Sequence, residues 1–589
     1  MIRLNPPPSP VIVSQEGVRR LPRWGMLLFC LVYALAGNVG REPWKGDDIA
    51  SFGYMLELAQ GRTDWLSPGL LGESAGFKAL LPYWIGAWAI RLAPGEMPAA
   101  QAVQVAYIAL LLLTFLACWY AIYYLARSRA AQPVSFAFGG EASPSDYARA
   151  IADGGLLALL SCLGLAEAAH QMSPPLVQLC CMSLLFFGLA ALPYRVVQAA
   201  LAAVVGMVGL VLSGAPAVAV LVGMMGVLAL AASPRVDWLR SSPDYELSEK
   251  ELDVLQRRRW TSIAGVVALM AVCAYLASVF GMWRWRIQPL PSRWIHWRDL
   301  IKLQLWFFWP AWLFALWTLW RWRRQWRSIL SSRHIALPLG MTLLGSIGSL
   351  LVGKDKAMLL LALPASATLA AFALPTLKRS MGAFIDWFTL LLFTLAGGYI
   401  WFVWFAAVTG VPRRPAERIH RMLEGLPMRL QWGAFAAGLL ATIGWLVLVR
   451  WRTRRLRPAI WKSMILPAAG VTMCWVLLAT LWLPALNHVR SYQVVANQVT
   501  HAIRQAAMPE GCVQQYGLED AQLTALMYYG KLDVMRGREA QCPWLVVRQS
   551  RMAIVEHALD MQAWQQVAVA SRSAKETDEA MVVFMRKQP

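Results

Sequence analysis

The feature that most constrains this chain is a succession of long apolar segments separated by short turns rich in Lys and Arg. Many of these segments run for 18 or more residues, which is the length that predicts a transmembrane helix. Charged residues make up only 15% of the 589 residues, against about 25% in soluble proteins. Barrel strands would alternate between apolar and polar residues instead. The sequence therefore predicts an all-α polytopic membrane protein.

The turns assign an orientation to thirteen predicted spans, because Lys and Arg cluster on the cytoplasmic side of a membrane. The clusters follow alternate spans, which gives a cytoplasmic N-terminal segment (1–23), a transmembrane domain (24–487) with an outer loop (40–100), and a periplasmic C-terminal domain (488–589). The predicted spans are 24–39, 101–126, 151–169, 176–193, 197–213, 215–232, 261–282, 304–320, 335–352, 357–375, 384–409, 431–449 and 460–486.

The net charge of +22 agrees with positive-inside turns that contact anionic membrane lipids. The basic clusters lie in short turns and form no broad face, so the composition does not favour nucleic-acid binding. The chain has no glycine-rich phosphate loop between a strand and a helix, which disfavours a nucleotide-driven pump.

Two adjacent acids, Asp47 and Asp48, follow the first predicted span. The apolar residues that follow them in the sequence recur at helical spacing: Ile49, Phe52, Leu56 and Ala59. This pattern predicts a helix lying on the membrane surface with both acids at its N-terminal end. A second surface helix is predicted over Ala79 to Leu92.

Several cations lie on the predicted outer side, against the positive-inside trend. Lys78, Lys354 and Lys356 are candidates for binding a phosphate, the alternative being side chains that extend to lipid headgroups. The outer loop 283–302 carries a second set of basic residues. They are candidates for holding an anionic acceptor by Arg–phosphate contacts, the alternative being a lipid-facing surface. This set is Arg284, Arg286, Arg293, His296 and Arg298.

The outer end of the third span carries Glu167 and His170, which share one helix face, and Ser173 follows them. We expect these three residues to line a site with the acidic pair; the alternatives are a metal site at Glu167 and His170 and a polar pair at the membrane interface. Cys512 and Cys542 stand apart from the seven cysteines of the apolar spans. In an oxidising compartment they predict a disulfide within a small C-terminal α/β domain, the alternative being two buried thiols.

Four motifs resemble the GT-C membrane glycosyltransferases, in particular the bacterial lipid A aminoarabinose transferases and, more distantly, the protein O-mannosyltransferases. They are Trp44-Lys45-Gly46-Asp47-Asp48, Gly76-Phe77-Lys78 with Pro82-Tyr83-Trp84, Phe308-Trp309-Pro310-Ala311-Trp312, and Lys354 followed by Leu363-Pro364-Ala365. The chain departs from the family pattern at Phe77, where the family carries Glu, at Ala50-Ser51, where it carries Arg-Tyr, and at Ser173, where it carries an acid.

This resemblance implies transfer of a sugar from a polyprenyl phosphate carrier to lipid A or another envelope acceptor, on the periplasmic side of the inner membrane. Asp47 would be the base that orients the acceptor, and Asp48 would support it or bind a divalent cation with it. The same two acids also suit a helix cap. A lipid or glycolipid transporter and a non-catalytic envelope scaffold are the alternative functions.

Overall fold

The computed structural model describes residues 9–234, 238, 249–283, 287–289, 293–324, 331–353, 355–423, 426–454, 459–506, 511–537, 542–558, 560–572 and 578–587. Arg284, Arg286 and Lys354 lie outside these residues. The helices are α1 Arg23–Ala36, α2 Asp47–Ala59, α3 Leu81–Leu92, α4 Ala99–Ala126, α5 Pro144–Leu160, α6 Leu163–Ala168, α7 Pro174–Ala191, α8 Val196–Leu212, α9 Pro216–Ala232, α10 Glu249–Val279, α11 Trp294–Phe307, α12 Ala311–Arg321, α13 Arg333–Val352, α14 Lys356–Ala373, α15 Arg379–Thr409, α16 Arg413–Met422, α17 Trp432–Arg454, α18 Lys462–Leu481, α19 Leu483–Arg490, α20 Gln493–Gln505, α21 Asp520–Tyr528 and α22 Met552–Ala558. The strands are β1 Gly69–Leu70, β2 Glu73–Ser74, β3 Val513–Tyr516, β4 Val534–Met535, β5 Trp544–Arg548, β6 Trp564–Ala570 and β7 Met581–Arg586.

Each of the thirteen predicted spans overlaps helical structure, which confirms a multi-pass helical membrane protein. Two of them are divided between two helices, 151–169 between α5 and α6 and 460–486 between α18 and α19. Within the described residues, 8 helices are long and apolar enough to cross a membrane, and a bent pair makes 9. Three shorter apolar helices are α1, α8 and α9. The number of thirteen crossings stays a prediction.

The prediction of one continuous span over 304–320 is wrong. Two helices, α11 and α12, replace it and meet at an angle of 88°. Pro310 stands at the break, where its missing N–H and its ring prevent a helix from continuing. The carbonyl of Trp309, released from helical bonding, accepts a hydrogen bond from the Leu163 amide at 3.1 Å. The break therefore anchors the start of α6.

The transmembrane core forms around α7 and α14, most of whose side chains are buried by other helices. By contrast, α10 and α17 direct most of their apolar side chains outward, as lipid-facing helices do. Close packing requires small residues: a Cβ on Gly206 of α8 would lie 2.5 Å from the Leu185 backbone nitrogen of α7.

The N-terminal segment pairs with the loop between α4 and α5. The Val134 amide donates to the Val11 carbonyl at 3.0 Å, and Arg20 forms an ion pair with Asp146 at 3.0 Å. The N-terminal segment and this loop therefore lie on the same side of the membrane, as the charge pattern predicts.

The C-terminal segment forms a mixed five-stranded sheet of order β4-β3-β5-β7-β6, in which β3 pairs in parallel with β4 and β5. The predicted disulfide between Cys512 and Cys542 is confirmed, and it joins the starts of two neighbouring strands. The apolar stretches Trp544–Val547 and Met581–Met585 lie in two of these strands, β5 and β7.

Helix α2 forms where it was predicted, but it does not lie open to lipid. Its apolar side chains Ile49, Phe52 and Met55 are fully buried between α3 and α21 of the C-terminal sheet domain. The rings of Phe52 and Tyr528 meet edge to face, with centroids 4.9 Å apart. The amphipathic pattern therefore reports packing against protein on both sides of the helix.

Candidate functional site at the start of α2

The two adjacent acids have different environments. Gly46 precedes α2 with a φ of +91°, a backbone conformation that favours glycine. From this turn Asp47 is exposed, whereas Asp48 is 2% exposed. The Asp48 carboxylate accepts hydrogen bonds from the amides of Trp44 at 2.8 Å and Met172 at 2.5 Å. Asp48 therefore holds the local backbone in place, while Asp47 faces outward.

Arg41 neutralises the buried Asp48, with its Nη2 3.0 Å from Oδ2. The Arg41 carbonyl accepts a hydrogen bond from Gln104 Nε2 at 2.6 Å, which ties the loop to the start of α4. Within the described part of the chain, Nε and Nη1 of Arg41 have no hydrogen-bond partner. The loop thus holds a buried cation whose hydrogen-bonding capacity is only partly used.

Trp44 lies between two guanidinium groups. Arg41 is 4.7 Å and Arg490 is 5.0 Å from the centroid of the ring. Arg490 ends α19, and its carbonyl accepts a hydrogen bond from the Lys45 amide at 2.6 Å. Sequence reasoning missed Arg490. The available signal was a basic residue just beyond the last predicted span, on the predicted outer side.

Glu167 belongs to this cluster, because its carboxylate forms an ion pair with Arg490. The short helix α6 that carries it is not among the candidate spans. Burial raises the pKa of Glu167, but the hydrogen bond and charge of Arg490, then the charges of Lys356 and Arg41, outweigh burial and lower it. Three cations therefore act electrostatically on one carboxylate beside the acidic motif.

His170 lies in the turn between α6 and α7 and is fully buried. Its ring nitrogens face the carbonyls of Ala166 at 2.5 Å and Tyr33 at 3.0 Å. These carbonyls favour the protonated ring, but burial outweighs them and lowers the pKa of His170 to about 4. Ser173, also buried, follows in the same turn. The Met172–Asp48 bond fastens this turn to the acidic loop.

Some of the predicted phosphate and acceptor residues lie near Glu167, and others lie elsewhere. Lys356, exposed at the start of α14, acts electrostatically on Glu167. The Gln288 amide donates to the Leu351 carbonyl at 2.8 Å, which brings the predicted acceptor loop to the turn before Lys356. Lys78 lies elsewhere in the outer loop: its Nζ is 3.0 Å from the position a Cβ on Gly281 would take.

The described acceptor-loop residues Arg293, His296 and Arg298 are exposed at the start of α11. Arg298 lies 3.6 Å from the carboxylate of its neighbour Asp299. The far end of α11 packs on α6, since a Cβ on Gly164 would lie 2.4 Å from the Phe307 ring. The helix thus connects these three side chains to the element that carries Glu167.

A divalent cation does not fit the Asp47–Asp48 pair. Both oxygens of Asp48 already contact Arg41, and each also accepts a backbone amide. A metal ion bound to the Asp48 oxygens would replace Arg41 as their partner, and it would still lie close to the positive charge of Arg41. Among the described residues, no group of three or more His, Cys, Asp or Glu side chains is placed to hold a metal ion.

The C-terminal domain is joined to the outer loop by a polar network. The Tyr54 hydroxyl of α2 donates to Asp520 at 2.5 Å, and Arg536 Nη2 donates to the same carboxylate at 2.6 Å. Arg536 also forms an ion pair with Glu73 of β2. Lys45 Nζ lies 2.8 Å from Glu579. These contacts position the acidic motif between the membrane domain and the C-terminal domain.

The fold and the site together define a class: a multi-pass helical membrane protein whose acidic motif follows the first apolar helix, beneath a C-terminal α/β domain. Two solved structures share this architecture. The crystal structure of ArnT from Cupriavidus metallidurans bound to undecaprenyl phosphate aligns with a TM-score of 0.56 and 17% identity, over 96% of this chain and 98% of that one.

The apo crystal structure of the same protein gives a TM-score of 0.56 and 17% identity, over 95% of this chain and 97% of the other. No family model and no curated protein matches the sequence. The chain therefore has the ArnT fold, which confirms at the level of fold the resemblance that the motifs indicate.

Proposed function

We propose that this protein is a GT-C-type glycosyltransferase that moves a sugar from a polyprenyl phosphate carrier to lipid A or another envelope acceptor. The supporting observation is the shared fold with a transferase crystallised with undecaprenyl phosphate, over 96% of this chain. We place the reaction on the periplasmic side of the inner membrane, following the charge pattern of the turns.

Asp47 is the proposed base. It is exposed at the N-terminus of α2, while Asp48 keeps the preceding loop fixed. An acceptor hydroxyl bound beside Asp47 would lose its proton to the carboxylate as the bond to the sugar forms. If the acceptor is a phosphate, it is already ionised near neutral pH, and a strong base is then less necessary.

The leaving group of this reaction is a phosphate, whose negative charge increases as the bond to the sugar breaks. Lys356 and Arg490 are two of the three cations that act on Glu167, and we assign them to this phosphate. Lys78 and Lys354 stay predicted phosphate ligands. Arg293, His296 and Arg298 are the proposed acceptor contacts, because all three are exposed on α11.

The test is sugar transfer in proteoliposomes supplied with polyprenyl-phosphate-linked sugars and lipid A. Asp47→Asn keeps the size of the side chain but cannot accept a proton, so we expect transfer to fall by about 10²–10⁴-fold. Asp64→Asn removes the same charge from an exposed site in the same outer loop and should leave transfer unchanged. A fully active Asp47→Asn variant would exclude this mechanism.

The alternative functions give different results. Flux of lipid across the proteoliposome membrane that does not depend on Asp47 would indicate a transporter. Mass spectrometry of lipid A and other envelope glycans, with and without the gene, would identify the acceptor. Unchanged envelope chemistry after deletion would favour a scaffold.

A further inference from the structure

A second polar site lies where α4 ends beside the turn between α7 and α8. It is a cleft of about 610 Å³, whose lining includes Arg127, Tyr194, Arg195, Val196, Val197 and Gln198. The lining thus combines two guanidinium groups with a tyrosine, a glutamine and two valines. No residue of the proposed transfer site is among these six.

Aromatic rings pack against Arg127, one of the two arginines of the cleft. The Arg127 guanidinium is 5.9 Å from the ring centroid of Tyr123 and 5.3 Å from that of Tyr194. Tyr124 stacks on Tyr194 with a centroid separation of 5.5 Å, and Arg195 follows Tyr194 as an exposed side chain. Two neighbouring guanidinium groups suit a phosphate, which accepts charge-assisted hydrogen bonds from both.

The cleft and the proposed transfer site lie near opposite ends of α4. Gln104, close to the start of this helix, binds the Arg41 carbonyl beside the acidic motif, whereas Arg127 caps its end. At 1.5 Å per residue these two residues are roughly 35 Å apart along the helix. The hydrocarbon core of a bilayer is about 30 Å thick. The cleft therefore lies at the opposite membrane face.

An exposed apolar stripe begins at the cleft and follows α8 toward the bilayer centre. Val197, Leu201 and Val204 are 73%, 62% and 44% exposed. Their spacing of four and then three residues places them on one face of the helix. A ligand that carries both a phosphate and an acyl chain would use the cleft and the stripe together.

We propose that this cleft binds the headgroup of an anionic phospholipid from the leaflet opposite the transfer site. The phosphate accepts hydrogen bonds from Arg127 and Arg195, Gln198 contacts the polar part of the headgroup, and one acyl chain lies along Val197 and Leu201. This site rests on the cleft and the stripe alone, and it holds whether or not the protein transfers sugar.

The experiment is competition between phosphatidylglycerol and phosphatidylcholine of identical acyl chains. The delipidated full-length protein is mixed with both lipids in detergent at about 0.15 M salt, and native mass spectrometry measures the retained lipid. Arg195→Gln removes an exposed guanidinium from the cleft. Arg129→Gln is the matched control, because it removes an exposed charge from the same membrane face but does not line the cleft.

We expect the wild type to retain phosphatidylglycerol over phosphatidylcholine, and Arg195→Gln to lower this preference by about tenfold through loss of a charge-assisted contact. Arg129→Gln should change it by less than about twofold, since salt screens charges outside the cleft. Val197→Asn should weaken retention of both lipids. Soluble glycerol phosphate should not compete at the same concentration.

Three results would overturn the proposal. Equal retention of the two lipids by the wild type would show that the site does not select a headgroup with a net negative charge. Equal effects of Arg195→Gln and Arg129→Gln would show a general surface attraction. Competition by glycerol phosphate as effective as that by the lipid would show a free-phosphate site. The melting temperature of each variant without added lipid checks that it folds.

Discussion

Replacing Asp48 with Asn should destabilise this protein far more than the same change at its neighbour Asp47. Asp48 and Arg41 are both buried, and the distance between Nη2 and Oδ2 is 3.0 Å. Asn is nearly the same size as Asp but carries no charge. The substitution therefore leaves the Arg41 guanidinium buried without its counter-charge.

The size of the effect follows from this burial. Removing one partner of a buried ion pair costs about 3–5 kcal/mol, because the remaining charge has lost water and gained nothing. The amide that replaces the Asp48 carboxylate has one oxygen acceptor, so it can keep the bond from the Trp44 amide or the Met172 amide but not both in the same geometry. We therefore expect Asp48→Asn to lie at the upper end of this range.

Asp47→Asn is the matched control. Its side chain is exposed at the first position of α2. There the substitution loses the interaction of an exposed negative charge with the helix N-terminus, which is worth about 0.3–1 kcal/mol. Unfolding of the purified full-length proteins in detergent, followed by tryptophan fluorescence against temperature, measures both variants under the same conditions.

A double variant separates the ion pair from other effects of the substitution. Arg41→Met combined with Asp48→Asn removes both charges, so the loss should be smaller than the sum of the single losses. The reasoning is refuted if Asp48→Asn unfolds at the same temperature as Asp47→Asn. It is also refuted if the losses of the two single variants simply add in the double variant.

Three further predictions concern other parts of the fold. Burial lowers the pKa of His170 from 6.5 to about 4. The neutral ring therefore contributes its full stability above pH 6.5, and about 3 kcal/mol of this stability is lost as the pH falls toward 4. Thermal unfolding of the wild type should show this loss, and His170→Gln should reduce it. Replacing Cys512 and Cys542 with Ser removes a disulfide whose ends are separated by 30 residues. The C-terminal domain should lose about 3–4 kcal/mol of stability, which its resistance to protease measures. Equal resistance with and without the disulfide would contradict this prediction. Gly37→Ala places a Cβ 2.3 Å from the His170 ring and should cost about 1–3 kcal/mol. Gly25→Ala, whose Cβ would meet Pro22 at 4.0 Å, should not destabilise the protein in the same thermal assay, because Ala favours a helix more than Gly does.

The amino-acid sequence alone was sufficient for the helical membrane class, the approximate positions of most helices, the small α/β domain and its disulfide. These features follow from local patterns. The length of an apolar run indicates a helix that can span a bilayer, and an isolated pair of cysteines in a C-terminal domain predicted to lie outside the cytoplasm indicates a disulfide. The sequence also selected the acidic motif and placed Glu167, His170 and Ser173 near it.

Only the tertiary structure assigned different environments to Asp47 and Asp48. Adjacent helical residues point in different directions, and their surroundings depend on distant contacts, such as the bond between Asp48 and Met172 across 124 positions. For the same reason, the sequence did not indicate that Arg490 belongs to the site, because its contact with Glu167 spans 323 positions. Composition and spacing are local properties, whereas the site is formed by segments that become neighbours only when the chain folds.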